Sequence, residues 1–254
     1  FFYTIHSDAV MENSPWDKRI FRIKRYCFKK NYIHPITISE ASQTSFSNLY
    51  KTKSTLIHNG VAQPTIDIKN NPIKQHKITP YTKIFVHAGR INKAKNQVVL
   101  CQAFEKLIIE GKDVVLLIAG GNNDHNIMEQ LKPFFSERIK YIGERSDIPS
   151  LFYFADAMCL PSIWEGLPVT LLESLSVGCI PICSAVGGIV NVVKDGFNGF
   201  LSSDSSVDEY YKALTRYISM SNDEIMAMKK RCIDSFNPYN ITTIANLYLE
   251  VYKA

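Results

Sequence analysis

Trp164-Glu165-Gly166-Leu167-Pro168-Val169-Thr170-Leu171-Leu172-Glu173 sets two carboxylates eight residues apart around a Gly, a Pro and an apolar run. The segment Ala157-Met158-Cys159-Leu160 just before it is short and apolar, so the whole reads as a strand, a turn and a helix start. Pro168 suits the first helical position, where a missing N–H costs nothing, and Gly166 would let backbone come close to a ligand. The N–H groups of Val169 and Thr170 then have no partner within the helix and can meet an anion, helped by the helix dipole. Glu173 is expected inside the helix, able to accept two hydrogen bonds from neighbouring hydroxyls, with Glu165 ahead of it on the loop.

Three other stretches carry the same kind of information. Val86-His87-Ala88-Gly89-Arg90 followed by Lys95-Asn96-Gln97 places two cations after an apolar strand. Ser184-Ala185-Val186-Gly187-Gly188-Ile189 and Asp195-Gly196-Phe197-Asn198-Gly199-Phe200 are glycine-marked turns. Together, and in this order over Val86 to Phe200, the four motifs resemble the signature of retaining glycosyltransferases of the GT-B fold, of the family-four type. Either glycine pair alone would be a weak signal.

The resemblance implies sugar transfer from a nucleotide diphosphate sugar, most often a UDP-sugar, to a hydroxyl acceptor, with the anomeric configuration kept. Gly89, Arg90 and Lys95 would grip the donor diphosphate, together with the backbone around Gly166, Leu167, Val169 and Thr170. Glu173 would hold the ribose and Glu165 the sugar, while Glu144 and Arg145 lie where the family seats the nucleobase. Thr4-Ile5-His6 matches a Thr-x-His of the N-terminal domain, which implies that His6 faces donor sugar and acceptor; on the residue alone the plainer reading is that it closes a loop. Negative charge grows on the diphosphate as the glycosidic bond breaks, so fixed cations and amides there would speed the reaction. No cofactor or metal is expected. The sequence has no Asp-x-Asp, which the other major glycosyltransferase fold uses to hold a divalent ion.

Composition is consistent with such an enzyme and excludes little else. The chain has 254 residues, 46% of them hydrophobic, and a net charge of +5, enough for one large or two small domains with a substantial core. No apolar run reaches the roughly 18 residues of a membrane span. The six cysteines are scattered through apolar segments without metal-site spacing, which reads as reduced thiols in a cytoplasmic protein. The opening Phe1-Phe2-Tyr3-Thr4-Ile5 has no Met and reads as a cut into a longer protein.

Along the chain, Phe1 to His6 is expected as a strand closed by the polar pair His6-Ser7, and Asp17 to Asn31 as a helix. Seven cations of that helix (Lys18, Arg19, Arg22, Lys24, Arg25, Lys29, Lys30) stand against one acid, Asp17. They form either a solvated face or a contact with anionic lipid on the inner face of the plasma membrane. Pro35 to Ile38 reads as a strand, Ser39 as the cap of a helix to Tyr50, Thr55 to His58 as a strand, and Ala62 to Thr79 as an irregular linker. From Lys83 strands and helices alternate: strands at Lys83–His87, Val114–Ala119, Ile139–Ile142, Ala157–Leu160, Ile180–Cys183 and Gly199–Leu201. Helices are expected at Gln97–Glu110, Asp124–Ser136, Asp147–Phe154 (capped by Asp147), Ser206–Met220, Asp223–Phe236 and Asn240–Lys253. Alternation of this kind specifies an α/β protein with a parallel, Rossmann-like sheet, whose ligands sit at the carboxyl ends of the strands.

The expected organisation is therefore the last part of a truncated, acceptor-side N-terminal domain over 1–62, a linker over 63–80 and a donor-binding domain over 81–236. The final helix, 237–254, would pack back on the N-terminal domain. A piece of this extent could bind donor without turning it over. The expected partners are the nucleotide sugar and a polysaccharide or lipid-linked acceptor, as in capsule synthesis, and no nucleic acid. A nucleotide-sugar epimerase of the same fold and a noncatalytic nucleotide-sugar binding module remain the alternatives.

Overall fold

The computed structural model describes residues 1–6, 9, 18–122 and 124–253; Ser7 and Asp17 lie outside them. Two parallel sheets organise the chain. The smaller contains β1 (Phe2–Ile5), β2 (His34–Thr37) and β3 (Thr55–Leu56) in the order β1-β2-β3. Its connections are α1 (Lys18–Lys29) and α2 (Glu40–Tyr50). Ser39 caps α2 with a full capping box, its hydroxyl accepting from the Ser42 N–H while Ser42 returns the bond to the Ser39 N–H. β3 stops two residues short of His58, whose Nδ1 bonds to the Ile38 carbonyl instead.

The larger sheet has the order β6-β5-β4-β7-β8-β9, all parallel. Its strands are β4 (Lys83–Ala88), β5 (Val114–Ala119), β6 (Ile139–Gly143), β7 (Ala157–Leu160), β8 (Ile180–Ser184) and β9 (Phe200–Ser202). Helices α3 (Gln97–Ile109), α4 (His125–Leu131), α5 (Ile148–Phe154), α6 (Val169–Ser176), α7 (Ile189–Val192), α8 (Val207–Ile218) and α9 (Asn222–Phe236) connect and cover them. β5 and β7 are buried along their whole length, as strands covered on both faces should be. The helix expected to reach Ser136 breaks at Pro133: α4 ends at Leu131 and a single 3₁₀ turn, Lys132–Phe134, follows.

The strand order sends the chain outward from β4 to β6, then back across to β7, β8 and β9. β4 and β7 therefore flank the point where the winding reverses, and such a point leaves a crevice at the carboxyl edge. Residues 62–79 carry no regular element beyond one 3₁₀ turn at Lys74–His76, yet Ile73 is fully buried in the core of the larger sheet. The last helix, α10 (Ile241–Lys253), buries Ile244 with Ile36 and Ile57 of the smaller sheet. Asn240 pairs with Val61 just before it. Among the described residues no helix is long and apolar enough to cross a membrane.

Candidate active site at the carboxyl edge of the larger sheet

Lys95 and Glu165 form the centre of this edge. Lys95 Nζ lies 2.5 Å from Glu165 Oε1, and both side chains are largely withdrawn from solvent, at 19% and 11% exposure. The Ser162 hydroxyl donates to the same oxygen at 2.7 Å. Local structure explains the meeting. Asn92 Oδ1 accepts from the Lys95 N–H, capping a 3₁₀ turn over Lys93–Lys95. Asn96 then turns left-handed, with φ of 56°, and its amide donates to the carbonyls of Pro161 and Ser205. The Ile163 N–H donates to the Ala94 carbonyl. The turn after β4 is thus tied to the loop after β7, and Lys95 faces Glu165 across the crevice.

Glycines fix the second side of the loop. A Cβ on Gly187, at φ of +53°, would stand 1.8 Å from the Glu165 carbonyl oxygen, and one on Gly188 would stand 2.3 Å from that of Gly166. The Gly188 N–H donates to the Gly166 carbonyl at 2.6 Å. A Cβ on Gly166 would stand 2.6 Å from the His6 carbonyl oxygen. Gly166 thus permits a close approach to the backbone of His6, and Gly187 and Gly188 a close approach to the Glu165–Gly166 loop. This brings the end of β1, with the exposed His6 side chain, against the carboxylate-bearing loop. Asn59 completes the junction, donating from its amide to the Leu167 carbonyl at 2.8 Å.

Pro168 is the N-cap rather than the first helical residue: its ψ of 127° is extended and α6 begins at Val169. No side chain caps that end and no acid stands in the first turn. The N–H groups of Val169 and Thr170, the first two helical residues, thus precede the first i→i−4 bond and point out of an uncapped helix N-terminus. Glu173 lies four residues further on, roughly 6 Å along the axis, and is half-buried. Burial pushes its carboxyl above the usual range, and among the described residues its carboxylate accepts no hydrogen bond, so the two hydroxyl donors expected for it are not supplied by the protein.

Of the remaining predicted residues, one joins this cluster and three make no contact with it. Gly89 packs beside Lys95, its notional Cβ 3.5 Å from Lys95 Cε. The Arg90 side chain is exposed and makes no hydrogen bond or ion pair among the described residues. Glu144 and Arg145 are exposed at the end of β6, two strands from β4 and so roughly 10 Å away. Asp147 does not cap α5; its carboxylate takes a two-pronged pair from Arg145, at 2.8 and 2.7 Å. That pair holds Arg145 along the rim and lowers the Asp147 carboxyl.

Sequence reasoning passed over a buried unit beneath this edge. His87 donates from Nδ1 to the Cys159 carbonyl at 2.9 Å, so its Nε2 is an acceptor. It takes a hydrogen bond from Gln97 Nε2 at 3.2 Å, and that amide also donates to the Arg90 carbonyl at 2.9 Å. Burial pushes His87 down to about 4, so the ring is neutral at physiological pH. The pair spans β4, β7 and the Arg90 turn; a histidine set among the apolar residues that follow Lys83 was its trace in the sequence. The buried thiols of Cys101, Cys159 and Cys232 are pushed up to about 12 by desolvation, which leaves them protonated and inert.

An uncapped helix N-terminus beside a held lysine and a carboxylate, at a reversal point in a parallel sheet, suits a ligand carrying both phosphate and polyol groups. Known proteins with this fold agree in kind. The crystal structure of a glycosyltransferase from Rickettsia africae ESF-5 superposes with a TM-score of 0.85 at 20% identity, covering 100% of this chain and 70% of that one. Anabaena HepE in complex with UDP-glucose superposes with a TM-score of 0.84 at 19% identity, covering 99% and 71%. The fold is GT-B. In sequence the chain is 29% identical over 240 residues to the Escherichia coli UDP-Gal:alpha-D-GlcNAc-diphosphoundecaprenol alpha-1,3-galactosyltransferase, covering 90% of this chain and 58% of that protein. It is 30% identical over 129 residues to the Bacillus anthracis N-acetyl-alpha-D-glucosaminyl L-malate synthase, covering 50% and 34%. The chain thus spans about three fifths of the first relative and a third of the second. Residues 69–234, which contain the whole carboxyl edge described above, match the family model of the glycosyl transferases group 1, and the chain belongs to that family.

Proposed function

We propose that this chain is the donor-binding part of a retaining, metal-independent glycosyltransferase that moves a hexose from a UDP-sugar to a hydroxyl of a glycan or lipid-linked acceptor. On this reading residues 81–236 form the donor side, and 1–62 with the last helix form the acceptor side. The observation that carries it is the Lys95–Glu165 pair beside the uncapped start of α6. Lys95 and the exposed Arg90 supply positive charge to the diphosphate, and the Val169 and Thr170 amides meet its oxygens. Glu173, without a donor from the protein, takes the two ribose hydroxyls. Glu165 takes a sugar hydroxyl as Lys95 turns to phosphate, and Glu144 and Arg145 border the base.

In the transfer the bond from the anomeric carbon to the phosphate oxygen breaks and a bond to the acceptor oxygen forms on the same face. The acceptor proton passes to the departing phosphate, so no covalent enzyme intermediate is required. His6, whose backbone touches the Glu165 loop, orients the acceptor hydroxyl at that face. Support for a UDP-sugar and for a lipid-linked acceptor of the cytoplasmic membrane face comes from the fold shared with UDP-glucose-bound HepE and from the sequence similarity to a diphosphoundecaprenol galactosyltransferase.

Thermal unfolding with UDP, UMP and a panel of UDP-sugars tests the reading. A ligand at a hundred times its dissociation constant stabilises by about 2.7 kcal/mol, a rise of roughly 5–11 °C for a domain of this size. UDP should outperform UMP, and Lys95→Met should remove the difference. Equal or absent shifts for UDP and UMP would overturn the donor assignment. With full-length protein, NMR of the product should show the donor's anomeric configuration kept; an epimerised donor with no transfer would favour the alternative chemistry.

A further inference from the structure

Among the described residues, helix α1 packs on the smaller sheet through one aromatic face. Phe28 is buried against Phe46 and Tyr50, with ring centroids 5.2 and 4.9 Å away, and Phe21 stacks on Tyr50 at 5.3 Å. The opposite face leaves Ile23 and Tyr26 exposed at 62% and 55%, with Tyr32, itself 59% exposed, against Tyr26. Between these faces Arg22, Arg25 and Lys29, with the rings of Phe21 and Tyr26, line a cavity of about 420 Å³. Among the described residues none of the three cations has an acidic partner, and Arg25 Nε is buried without any hydrogen bond. Lys24, by contrast, is engaged with Tyr3, through its hydroxyl at 3.2 Å and over its ring.

Ordinary solvation accounts for a basic helix but not for an exposed isoleucine and tyrosine beside cations that have no acidic partner among the described residues. Nucleic acid would use the cations and leave Ile23 in water. An anionic bilayer uses both: phosphates meet the guanidinium and ammonium groups, and the aliphatic and tyrosine side chains enter the interfacial layer. We propose that this face of α1 is a docking surface for anionic lipid, with Arg22, Arg25 and Lys29 cradling a headgroup phosphate and Ile23 and Tyr26 inserted beside it. The surface belongs to the smaller sheet and is independent of the donor assignment, so either can fail without the other.

The test is co-sedimentation of the purified chain with phosphatidylcholine vesicles, with and without phosphatidylglycerol, at low and high salt. Binding should require phosphatidylglycerol and fall with salt. Arg22→Ala and Lys29→Ala should each weaken partitioning roughly fivefold, Ile23→Asp should abolish it, and Lys112→Ala, a cation on the larger domain, should leave it unchanged. Circular dichroism and unfolding midpoints, expected to match the parent chain, keep a loss of binding distinct from a loss of fold. Equal binding to both vesicle types, or unaltered binding by the α1 variants, would overturn the proposal. So would a failure to bind vesicles accompanied by dimerisation that Ile23→Asp removes, which would make the face a contact between copies.

Discussion

Replacing Gly187 by alanine should damage the site by a route that can be separated from ordinary backbone strain. Gly187 sits at φ +53°, and a Cβ there would come within 1.8 Å of the Glu165 carbonyl oxygen, where real contacts stay beyond 3.0 Å. Two backbone segments must therefore part by more than an ångström. Gly111, at φ +75° after α3, provides the reference, because nothing lies within 4 Å of its notional Cβ. The left-handed conformation costs an alanine about 1–2 kcal/mol, partly offset by about 0.4–1 kcal/mol from the stiffer unfolded chain. Gly111→Ala should thus lower the unfolding midpoint by at most about 6 °C. Gly187→Ala adds an overpacking cost of about 1–3 kcal/mol, which should lower its midpoint roughly 2–12 °C below that of Gly111→Ala. It also displaces the carboxylate that Lys95 and Ser162 hold, and a 1 Å displacement can cost on the order of a hundredfold in turnover. Differential scanning calorimetry and UDP-sugar turnover by the full-length protein measure the two effects. Equal midpoints for the two variants, or unimpaired turnover by Gly187→Ala, would refute the argument that the glycine exists to let the β8 turn support Glu165.

Three further outcomes follow from the same geometry. Lys95→Met leaves a largely buried Glu165 with only the Ser162 hydroxyl, and should cost about 1–3 kcal/mol of stability that the double variant with Glu165→Gln recovers; no recovery by urea denaturation would show that the pair is not coupled. Glu173 is raised by burial, so its contribution to stability is fully present below the unfolded carboxyl pKa and is lost as pH rises through the folded one. Glu173→Gln should therefore raise the ligand-free midpoint at neutral pH while weakening UDP binding, and a variant that lost stability instead would contradict the absence of a partner. His87, lowered to about 4, should make stability fall as pH drops from about 6.5 toward 4, because the unfolded chain takes up the proton first. His87→Gln should flatten that part of the pH profile in calorimetry, and an unchanged slope there would count against the neutral buried ring.

Much of the architecture was legible because it depends on local chemistry. The apolar runs at Val114–Ala119 and Ala157–Leu160 coincide with β5 and β7, since a parallel strand buried on both faces has no polar position. Ser39 was identifiable as a cap from its type and place. The failures were local as well: Asp147 had the residue type of a cap, but Arg145 two residues away offered its carboxylate a stronger, charged partner, and Pro133 broke α4 early.

The sequence by itself determined that strands and helices alternate, that their chain order carries the family's motifs, and that two carboxylates, two cations and a helix start belong to one sheet edge. Only the tertiary structure decided which of these meet. Lys95 pairs with Glu165 because Asn96 ties the β4 turn to the β7 loop, and Gly166, Gly187 and Gly188 are used up in letting three backbones touch. Residue type and spacing encode what a side chain can bond to nearby, whereas contacts across 70 or more residues depend on how the sheet brings its strand ends together. For that reason the residue types gathered at the edge could be read in advance, and their partnerships could not.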